Sequence, residues 1–358
     1  MNEFSFANKL LAWFDLHGRK DLPWQSNRTP YRVWVSEIML QQTQVASVIN
    51  YYQRFMGTFP NIQSLASAHE DVVLEHWAGL GYYARARNLH KAAKLVVSEH
   101  KGVFPANFES IVNLPGIGRS TAGAILSIAF KQKATILDGN VKRVLCRVEA
   151  IRSWPGEKAT ENRLWQIAES LNPDERTADY TQAIMDLGAT LCTRSKPSCD
   201  LCPLREQCRA HELNLQSELP KSKPKKKLPQ KHTWIALIES NDGRILLEKR
   251  PPAGIWGSLY SLPEISHDHS LQEIEAQCSS IFGGEFEIID VHESIQHTFS
   301  HYKLELKPVN LKNTKIEHRV ENASRFIWFD KQHMNKLGLP APISQYLNRQ
   351  SILTVEKL

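Results

Sequence analysis

A segment rich in proline and lysine, SELPKSKPKKKLPQK, divides the chain at Ser217–Lys231. It has six lysines and three prolines but almost no apolar side chain, so it is typical of a linker between domains. The chain has 358 residues and a net charge of +6, and this segment alone carries +5. One hydrophobic core stops growing at about 250–300 residues. The sequence therefore predicts two domains, at 1–216 and 232–358, joined by a basic linker at 217–231.

The two sides of the linker differ in their hydrophobic periodicity. Before it, apolar residues recur at helical spacing, and glycine and proline separate the helices. The predicted helices are Tyr31–Phe55, Asp71–Ala78, Ala84–Glu99, Arg119–Phe130, Val141–Val148, Thr160–Ser170 and Tyr180–Thr190. After the linker, short β-branched and aromatic runs predict strands. These are Thr233–Glu239, Arg244–Lys249, Phe286–His292, Thr298–Pro308 and Arg325–Phe329, with a helix at Leu271–Phe282. We expect a multi-domain protein in which an all-α domain precedes a small α+β domain.

The cysteines are unevenly distributed, and four of the six fall within 17 residues. The four are Cys192, Cys199, Cys202 and Cys208. Disulfide frameworks are usually spread through short secreted chains, whereas this chain has no signal-peptide pattern and no run of about 18 apolar residues. The cluster therefore predicts a metal site in a reducing compartment. Zinc sites usually carry two close pairs, so a single close pair with wider gaps favours a [4Fe–4S] cluster over zinc.

Two cations, Arg194 and Lys196, lie between the first two of these cysteines. A ligand loop that carries cations suggests contact with DNA phosphates. The alternative is a purely structural role, in which the metal site holds the end of the helical domain together.

A glycine-rich turn, LPGIGRST at Leu114–Thr121, precedes the apolar part of a predicted helix. Gly116 and Gly118 leave backbone N–H groups uncovered, and the start of a helix adds partial positive charge. Such a turn can hold a DNA phosphate without reading the base sequence. The alternative is a plain packing corner between two helices.

Two carboxylates stand in contrasting surroundings. Asp138 precedes the predicted helix at Val141–Val148 and fits an N-cap, where N–H bonds and the helix field are expected to keep it ionised. Glu37 has largely apolar neighbours, so desolvation would raise its pKa and suit it to act as a general acid. Gln41 follows one turn later on the same face. The alternative for Glu37 is a surface residue on an amphipathic helix.

Several segments resemble a known family. LPGIGRSTAGAI (Leu114–Ile125), LDGNVKRV (Leu137–Val144) and the cysteine spacing resemble the endonuclease III superfamily of DNA glycosylases. Its adenine DNA glycosylase (MutY) branch is further resembled at Leu22–Trp24, Val35–Val45, Gly79–Arg87 and Met185–Gly188. The resemblance runs from about residue 5 to the end and is densest before the linker. It implies a helix-hairpin-helix motif at about 108–130, one [4Fe–4S] cluster per chain in the loop 192–208, and base-excision repair.

The implied reaction is hydrolysis of the N-glycosidic bond of adenine mispaired with 8-oxoguanine or guanine in duplex DNA. By resemblance, Glu37 protonates adenine N7, and Asp138 stabilises an oxocarbenium-like sugar or bonds to it transiently. Asn140 helps to position the water and the sugar. Ser120 stands where bifunctional members carry a Schiff-base lysine, which implies a monofunctional enzyme that leaves an abasic site. Lys142, nearby in sequence, would cause at most weak side reactions.

The resemblance also implies a DNA-contact set and a cellular setting. The set is Gln41, Gln42, Tyr82, Gly116, Gly118, Ser120, Arg194 and Lys196. Gln42 and Tyr82 would wedge into the duplex beside 8-oxoguanine. We expect a cytoplasmic monomer located with the DNA and not associated with membranes. The lysine-rich linker either contacts the DNA backbone or is a solvated tether.

The residues after the linker resemble a Nudix-type fold. The resemblance lies in Leu246–Pro251, Gly254–Gly257 and Leu262–Pro263. The glutamate-rich helix that binds magnesium in catalytic Nudix members is absent, so we predict no nucleotide hydrolysis. By resemblance, Phe299, Ser300 and His301 recognise 8-oxoguanine, with the Ser300 hydroxyl accepting its N7–H. On a plain strand, Phe299 and His301 would instead share one face and Ser300 the other.

Three other functions compete with this interpretation. A bifunctional pyrimidine glycosylase and abasic lyase is disfavoured by Ser120 and by the second domain. A non-enzymatic mismatch binder or redox sensor is disfavoured by the presence of both Glu37 and Asp138. A Nudix hydrolase with a DNA-binding appendage is disfavoured by the missing acidic helix.

Overall fold

The computed structural model describes residues 3–224, 228–240, 242–252, 254–266, 270–299, 301–315, 325–330 and 337–355. The chain forms two compact units. The helical unit comprises Met1–Ala68 and Arg85–Lys225, and the mixed unit comprises His69–Ala84 and Lys226–Leu358. The helical unit is therefore not one continuous stretch of chain. In the described residues, no helix is long and apolar enough to cross a membrane.

The helices are α1 (Glu3–His17), α2 (Pro30–Leu40), α3 (Val45–Thr58), α4 (Ile62–Ser67), α5 (Glu70–Trp77), α6 (Ala84–Glu99), α7 (Phe108–Val112), α8 (Arg119–Phe130), α9 (Gly139–Val148), α10 (Lys158–Ser170), α11 (Thr177–Thr190), α12 (Arg209–Glu212), α13 (Leu271–Phe282) and α14 (Ala341–Val355). The strands are β1 (Gln230–Glu239), β2 (Arg244–Lys249), β3 (Tyr260–Ser261), β4 (Glu264–Ser266), β5 (Glu285–Val291), β6 (Ile295–Thr298), β7 (Lys303–Lys315) and β8 (Phe326–Asp330). Two 3-10 turns, Cys199–Leu201 and Arg205–Gln207, lie in the cysteine loop.

Helix α8 lies at the centre of the helical unit. Its residues Ala122–Ile128 are all buried, because this helix is apolar on every side. It packs against α2, α7 and α11, and α11 packs in turn against α1 and α9. A Cβ on Gly123 would lie 2.2 Å from the carbonyl oxygen of Thr135. Glycine therefore lets the segment that leads to α9 cross close to α8.

The predicted single helix at Tyr31–Phe55 is wrong, because the structure breaks it into α2 and α3. Gln42 lies at the break with a φ of +56°, in the left-handed region that a residue with a Cβ seldom adopts. The apolar spacing continues across the break, so periodicity alone does not reveal it.

The mixed unit is built on an eight-stranded sheet. Its main path runs β3-β2-β1-β7-β5, while β4, β6 and β8 pair with β1, β7 and β2, respectively. Strands β1 and β7 are parallel, and the other pairs are antiparallel. Helix α13 contributes to the hydrophobic cluster on one face, and α14 contributes to a second cluster. Helices thus supply apolar residues to two separate cores around one mixed sheet.

Both ends of the predicted linker, and the predicted strand at the recognition segment, differ from expectation. Leu219 is 2% exposed, and β1 already begins at Gln230, so both ends of the predicted linker belong to folded structure. The predicted strand Thr298–Pro308 is wrong, because β6 ends at Thr298 and β7 starts at Lys303. The backbone turns between them, and the N–H of Phe299 donates to the carbonyl of Tyr302 at 2.9 Å.

Candidate active site

Glu37 is carried by α2, which begins at an N-cap, Thr29, followed by Pro30. Its neighbours Ser36 and Ile38 are buried, while Glu37 itself retains partial exposure. Burial, and to a smaller extent the negative charge of Asp138, raise the pKa of Glu37 to about 8. A carboxyl group with this pKa holds its proton at neutral pH and is suited to act as a general acid. The surface alternative for Glu37 does not account for this desolvation.

Asp138 is the N-cap of α9, as its position in the sequence indicates. Its carboxylate accepts hydrogen bonds from the N–H of Val141 at 2.8 Å and from Nδ2 of Asn140 at 3.2 Å. Burial raises the pKa of Asp138, whereas these hydrogen bonds and the charge of Arg143 lower it. The net effect is a raised pKa. This differs from the expectation that the N-cap position would keep the carboxylate ionised, because burial has the larger effect.

The two carboxyl groups lie close enough for one to influence the other. The causes that raise the pKa of Glu37 both favour its protonated form. Asp138 instead has hydrogen-bond donors and the Arg143 guanidinium, all of which favour its ionised form. A proton shared by the pair therefore resides on Glu37, and the negative charge resides on Asp138. Such a pair can donate a proton at one point and stabilise a cation at the other.

Asn140 is tied to Asp138 through a network that the sequence analysis missed. Its Oδ1 accepts a hydrogen bond from Nη2 of Arg143 at 2.8 Å, and the same Nη2 donates to the carbonyl of Gly188 at 2.6 Å. Nε of Arg143 donates to the carbonyl of Cys192 at 2.7 Å. One arginine therefore connects the start of α9, the end of α11 and the cysteine loop.

Gly188 is required for the close approach of α11 to α9. A Cβ at this position would lie 2.6 Å from Cβ of Asn140 and 3.1 Å from its Cα. We expect Gly188→Ala to displace Asn140 and destabilise the fold by about 1–3 kcal/mol. The rate of the glycosylase reaction that the sequence resemblance implies should fall by more than the loss of folded protein accounts for. Gly57→Ala, where the added Cβ meets no atom within 4 Å, is the matched control. A Gly188→Ala enzyme with the control's rate and melting temperature would contradict this prediction.

Ser120, just after the glycine turn in the chain, contacts the segment that leads to Asp138. The Ser120 hydroxyl accepts a hydrogen bond from the N–H of Leu137 at 3.0 Å, so it fixes the residue before Asp138. Gly116 has a φ of +80°, and Gly118 is the N-cap of α8 without a side-chain hydrogen bond to the helix. A Cβ added to Gly118 would meet no atom within 4 Å. The start of α8 thus has an accessible turn of the kind that binds phosphate.

The other predicted DNA contacts occupy different places. Gln42 is exposed at the break between α2 and α3, and Nε2 of Gln41 donates to the Thr121 hydroxyl at 3.3 Å. Arg194 and Lys196 are exposed in the cysteine loop. Tyr82, 59% exposed and with a φ of +50°, belongs to the mixed unit.

The four clustered cysteines lie in one loop after α11, and their thiols are electrostatic neighbours. Burial raises the pKa of Cys202 to about 11, and the charges of Cys192, Cys208 and Cys199 raise it as well. Nη1 of Arg147 lies 3.2 Å from Sγ of Cys192. Thiols that are electrostatic neighbours in one loop are of the residue type that binds a thiolate-ligated group.

The predicted preference for a [4Fe–4S] cluster over zinc stays a prediction. In the described part of the chain, no three Cys, His, Asp or Glu side chains are placed to hold a metal ion.

The predicted 8-oxoguanine contacts lie at the turn between β6 and β7. The Phe299 ring centroid lies 4.5 Å from that of His297, 5.4 Å from Trp256 and 6.1 Å from His301. Ser300 lies outside the described residues. The two glutamates of α13 have structural partners, since Glu273 forms a capping box with Ser270 and Glu275 accepts from the N–H of Ile288.

Comparisons with known proteins identify the family of the chain. The HhH-GPD superfamily of base excision DNA repair proteins matches residues 35–170, and the NUDIX domain matches residues 234–349. An adenine DNA glycosylase of Buchnera aphidicola subsp. Acyrthosiphon pisum is 40% identical over 348 residues, which cover 97% of this chain and 98% of that protein. The chain belongs to the adenine DNA glycosylase family. It is therefore an enzyme of base excision repair, and the predicted fold class is confirmed.

Other relatives of this adenine DNA glycosylase family member are more distant. The Homo sapiens adenine DNA glycosylase is 36% identical, over 84% of this chain and 65% of that protein. A solved thermostable thymine-DNA glycosylase is 28% identical with a TM-score of 0.52, covering 59% of this chain and 97% of its own. A non-covalent endonuclease III–DNA complex, at 20% identity and a TM-score of 0.51, covers 60% of this chain and 99% of its own. This last structure shares the fold of the helical unit.

Proposed function

We propose that the enzyme removes adenine mispaired with 8-oxoguanine or guanine and leaves an intact abasic site. The observation that carries the chemistry is the carboxyl pair, in which Glu37 has a pKa of about 8 beside Asp138. Glu37 donates its proton to adenine N7, and the electrons of the glycosidic bond leave with the base. Asp138 stabilises the resulting oxocarbenium-like sugar by its charge or by a transient bond. Asn140 helps to position the water that adds to the sugar.

The strand is expected to remain intact because neither Ser120 nor Lys142 offers a free amine at the site. Ser120 replaces the lysine that would form a Schiff base, and its hydroxyl is engaged by the N–H of Leu137. Lys142 is held by Glu161 at 2.6 Å, and an amine engaged with a carboxylate is a poor nucleophile. Both contacts support a monofunctional reaction.

We assign DNA binding to the contact residues that the sequence resemblance implies. The glycine turn at Gly116 and Gly118 would hold phosphate, and Arg194 and Lys196 would add charge contacts. Gln41, Gln42 and Tyr82 would contact the opened base pair, since a flipped adenine leaves a gap that side chains can fill.

The cysteine loop would hold one [4Fe–4S] cluster through Cys192, Cys199, Cys202 and Cys208. When bound, the cluster would crosslink the loop that presents Arg194 and Lys196. Arg147 supports the loop directly, because its guanidinium also donates to the carbonyls of Thr193 and Arg194, at 2.7 and 3.1 Å. We further propose that the enzyme is a monomer and works in the cytoplasm with the DNA.

Phe299, Ser300 and His301 would recognise 8-oxoguanine, and the aromatic rings around Phe299 support that role. Duplexes with adenine opposite 8-oxoguanine, guanine or thymine test the proposal. We expect release only at the two mispairs, with strand breaks only after alkali. Phe299→Leu should reduce the preference for 8-oxoguanine over guanine by about tenfold, the scale of one lost base–aromatic contact. Release opposite thymine, or breaks without alkali, would contradict the proposal.

A further inference from the structure

Arg85 binds the end of the helix that carries Glu37. Its Nη1 donates to the carbonyls of Ile38 and Met39, both at 2.9 Å, and to that of Gln41 at 2.6 Å. Its Nη2 donates to the hydroxyl of Thr43 at 3.2 Å. One guanidinium therefore spans the last turn of α2 and the break that follows it.

The position of Arg85 is electrostatically unusual. It lies in the first turn of α6, where the helix dipole disfavours a cation. Its charge is directed instead at the C-terminal carbonyls of α2, where a cation is favoured and where the last carbonyls have no partner within their own helix. The charge of Arg85 therefore stabilises the C-terminal end of α2, although its position is unfavourable for the start of α6.

The turn between α2 and α3 that Arg85 holds has a strained backbone. Gln42 is exposed and has a φ of +56°, although its Cβ disfavours that region. Thr43 ties the same turn together, because its hydroxyl donates to the carbonyl of Gln41 at 3.2 Å and its N–H donates to that of Leu40 at 3.2 Å. Strained residues that the surrounding structure holds in place are frequent at functional sites.

We propose that Arg85 is a positioning residue for adenine extrusion. Its guanidinium holds the turn that presents Gln42 to the duplex, and with it the end of the helix that carries Glu37. Arg85 itself touches neither the base nor the sugar. This inference rests on the proposed contact of Gln42 with DNA. The inference identifies Arg85 as the residue that keeps Gln42 in the conformation needed for binding.

The test measures extrusion separately from chemistry. The full-length protein with Glu37→Gln binds a duplex that has 2-aminopurine in place of the target adenine, and its fluorescence reports unstacking. Arg85→Met should reduce extrusion by about tenfold, the scale of losing hydrogen bonds to a charged group. Gln42→Ala should give a similar loss, because it removes the side chain that the turn presents. The double variant should be no worse than either single one, because both act through the same turn. Lys91→Met removes an exposed cation from the same helix and is the control.

Arg85→Lys separates charge from geometry. An ammonium keeps the cation but cannot reach both the carbonyls and Thr43, so we expect about a threefold loss of extrusion. If Arg85→Met does not fold, Arg85→Lys serves as the test variant. Extrusion by Arg85→Lys at the wild-type level would then overturn the proposal. In a folded Arg85→Met protein, extrusion equal to that of Lys91→Met, or a loss that multiplies with that of Gln42→Ala, would also overturn it. Unchanged extrusion in Gln42→Ala alone would contradict the proposed role of Gln42, and the inference would fail with it.

Discussion

Glu37→Gln is expected to reduce adenine release by about 10²- to 10⁴-fold, the usual contribution of a general acid. The amide has the shape of the carboxyl group but cannot deliver a proton to the base. Binding of the mispaired duplex should change little, because the variant keeps the size and polarity of the side chain. Single-turnover release and duplex affinity, measured on the same preparation, check both statements.

The same substitution should not destabilise the protein. Burial raises the pKa of Glu37 from its ordinary value of 4.5 to about 8. Between these two pH values the folded protein holds a proton that the unfolded chain has lost, so the free energy of unfolding falls as the pH rises. Glutamine cannot ionise, and the melting temperature of the variant should match or exceed that of the wild type at pH 8. Glu109→Gln, at an exposed position on α7, is the control and should leave release and stability unchanged. Release by Glu37→Gln at the rate of this control would exclude Glu37 as the acid.

Asp138→Asn should have the second largest effect, a loss of about 10²- to 10³-fold in adenine release. The charge that faces the cationic sugar disappears, but asparagine is as good an N-cap as aspartate, so α9 remains capped. The melting temperature should stay near the wild-type value. Asp138→Ala loses both charge and cap, and it should add a stability cost of about 0.5–2 kcal/mol.

The two Asp138 variants also report on the coupling within the pair. The negative charge of Asp138 raises the pKa of Glu37, so that pKa should fall in Asp138→Asn. The residual activity of this variant should therefore decline at a lower pH than the wild-type activity does. Wild-type release by Asp138→Asn would show that the charge of Asp138 is not used, and a residual activity with an unshifted pH profile would contradict the coupling between the two carboxyl groups.

Local signals in the sequence predicted much of the site. Asp138 is the N-cap that its position indicated, and α6, α8 and α13 begin and end at the predicted residues. In each case the deciding features lie within a few residues of chain. Apolar surroundings predicted the upward shift of Glu37 for the same reason.

Features that depend on distant contacts were missed. The break at Gln42 has no marker in the apolar spacing, and three of the bonds that hold it come from Arg85, more than 40 residues away. The network of Arg143 and Arg147 joins α9 to the cysteine loop, and only their spacing of four residues on one helix hinted at a shared role. Helix α14 was overlooked, although Ile343 and Leu347 fall at helical spacing. The grouping of His69–Ala84 with the mixed unit is likewise invisible in a continuous sequence.

The pH dependence of adenine release tests the central assignment most directly. The single-turnover rate below enzyme saturation, from about pH 6 to about pH 9, reports the ionisation of the free enzyme. The account predicts a plateau at low pH and a decline above an apparent pKa of about 8, because Glu37 must hold its proton. Glu37→Gln should lack that decline. A wild-type rate that stays level or rises through pH 8, with duplex binding and folding unchanged, would contradict the assignment of Glu37 as the acid.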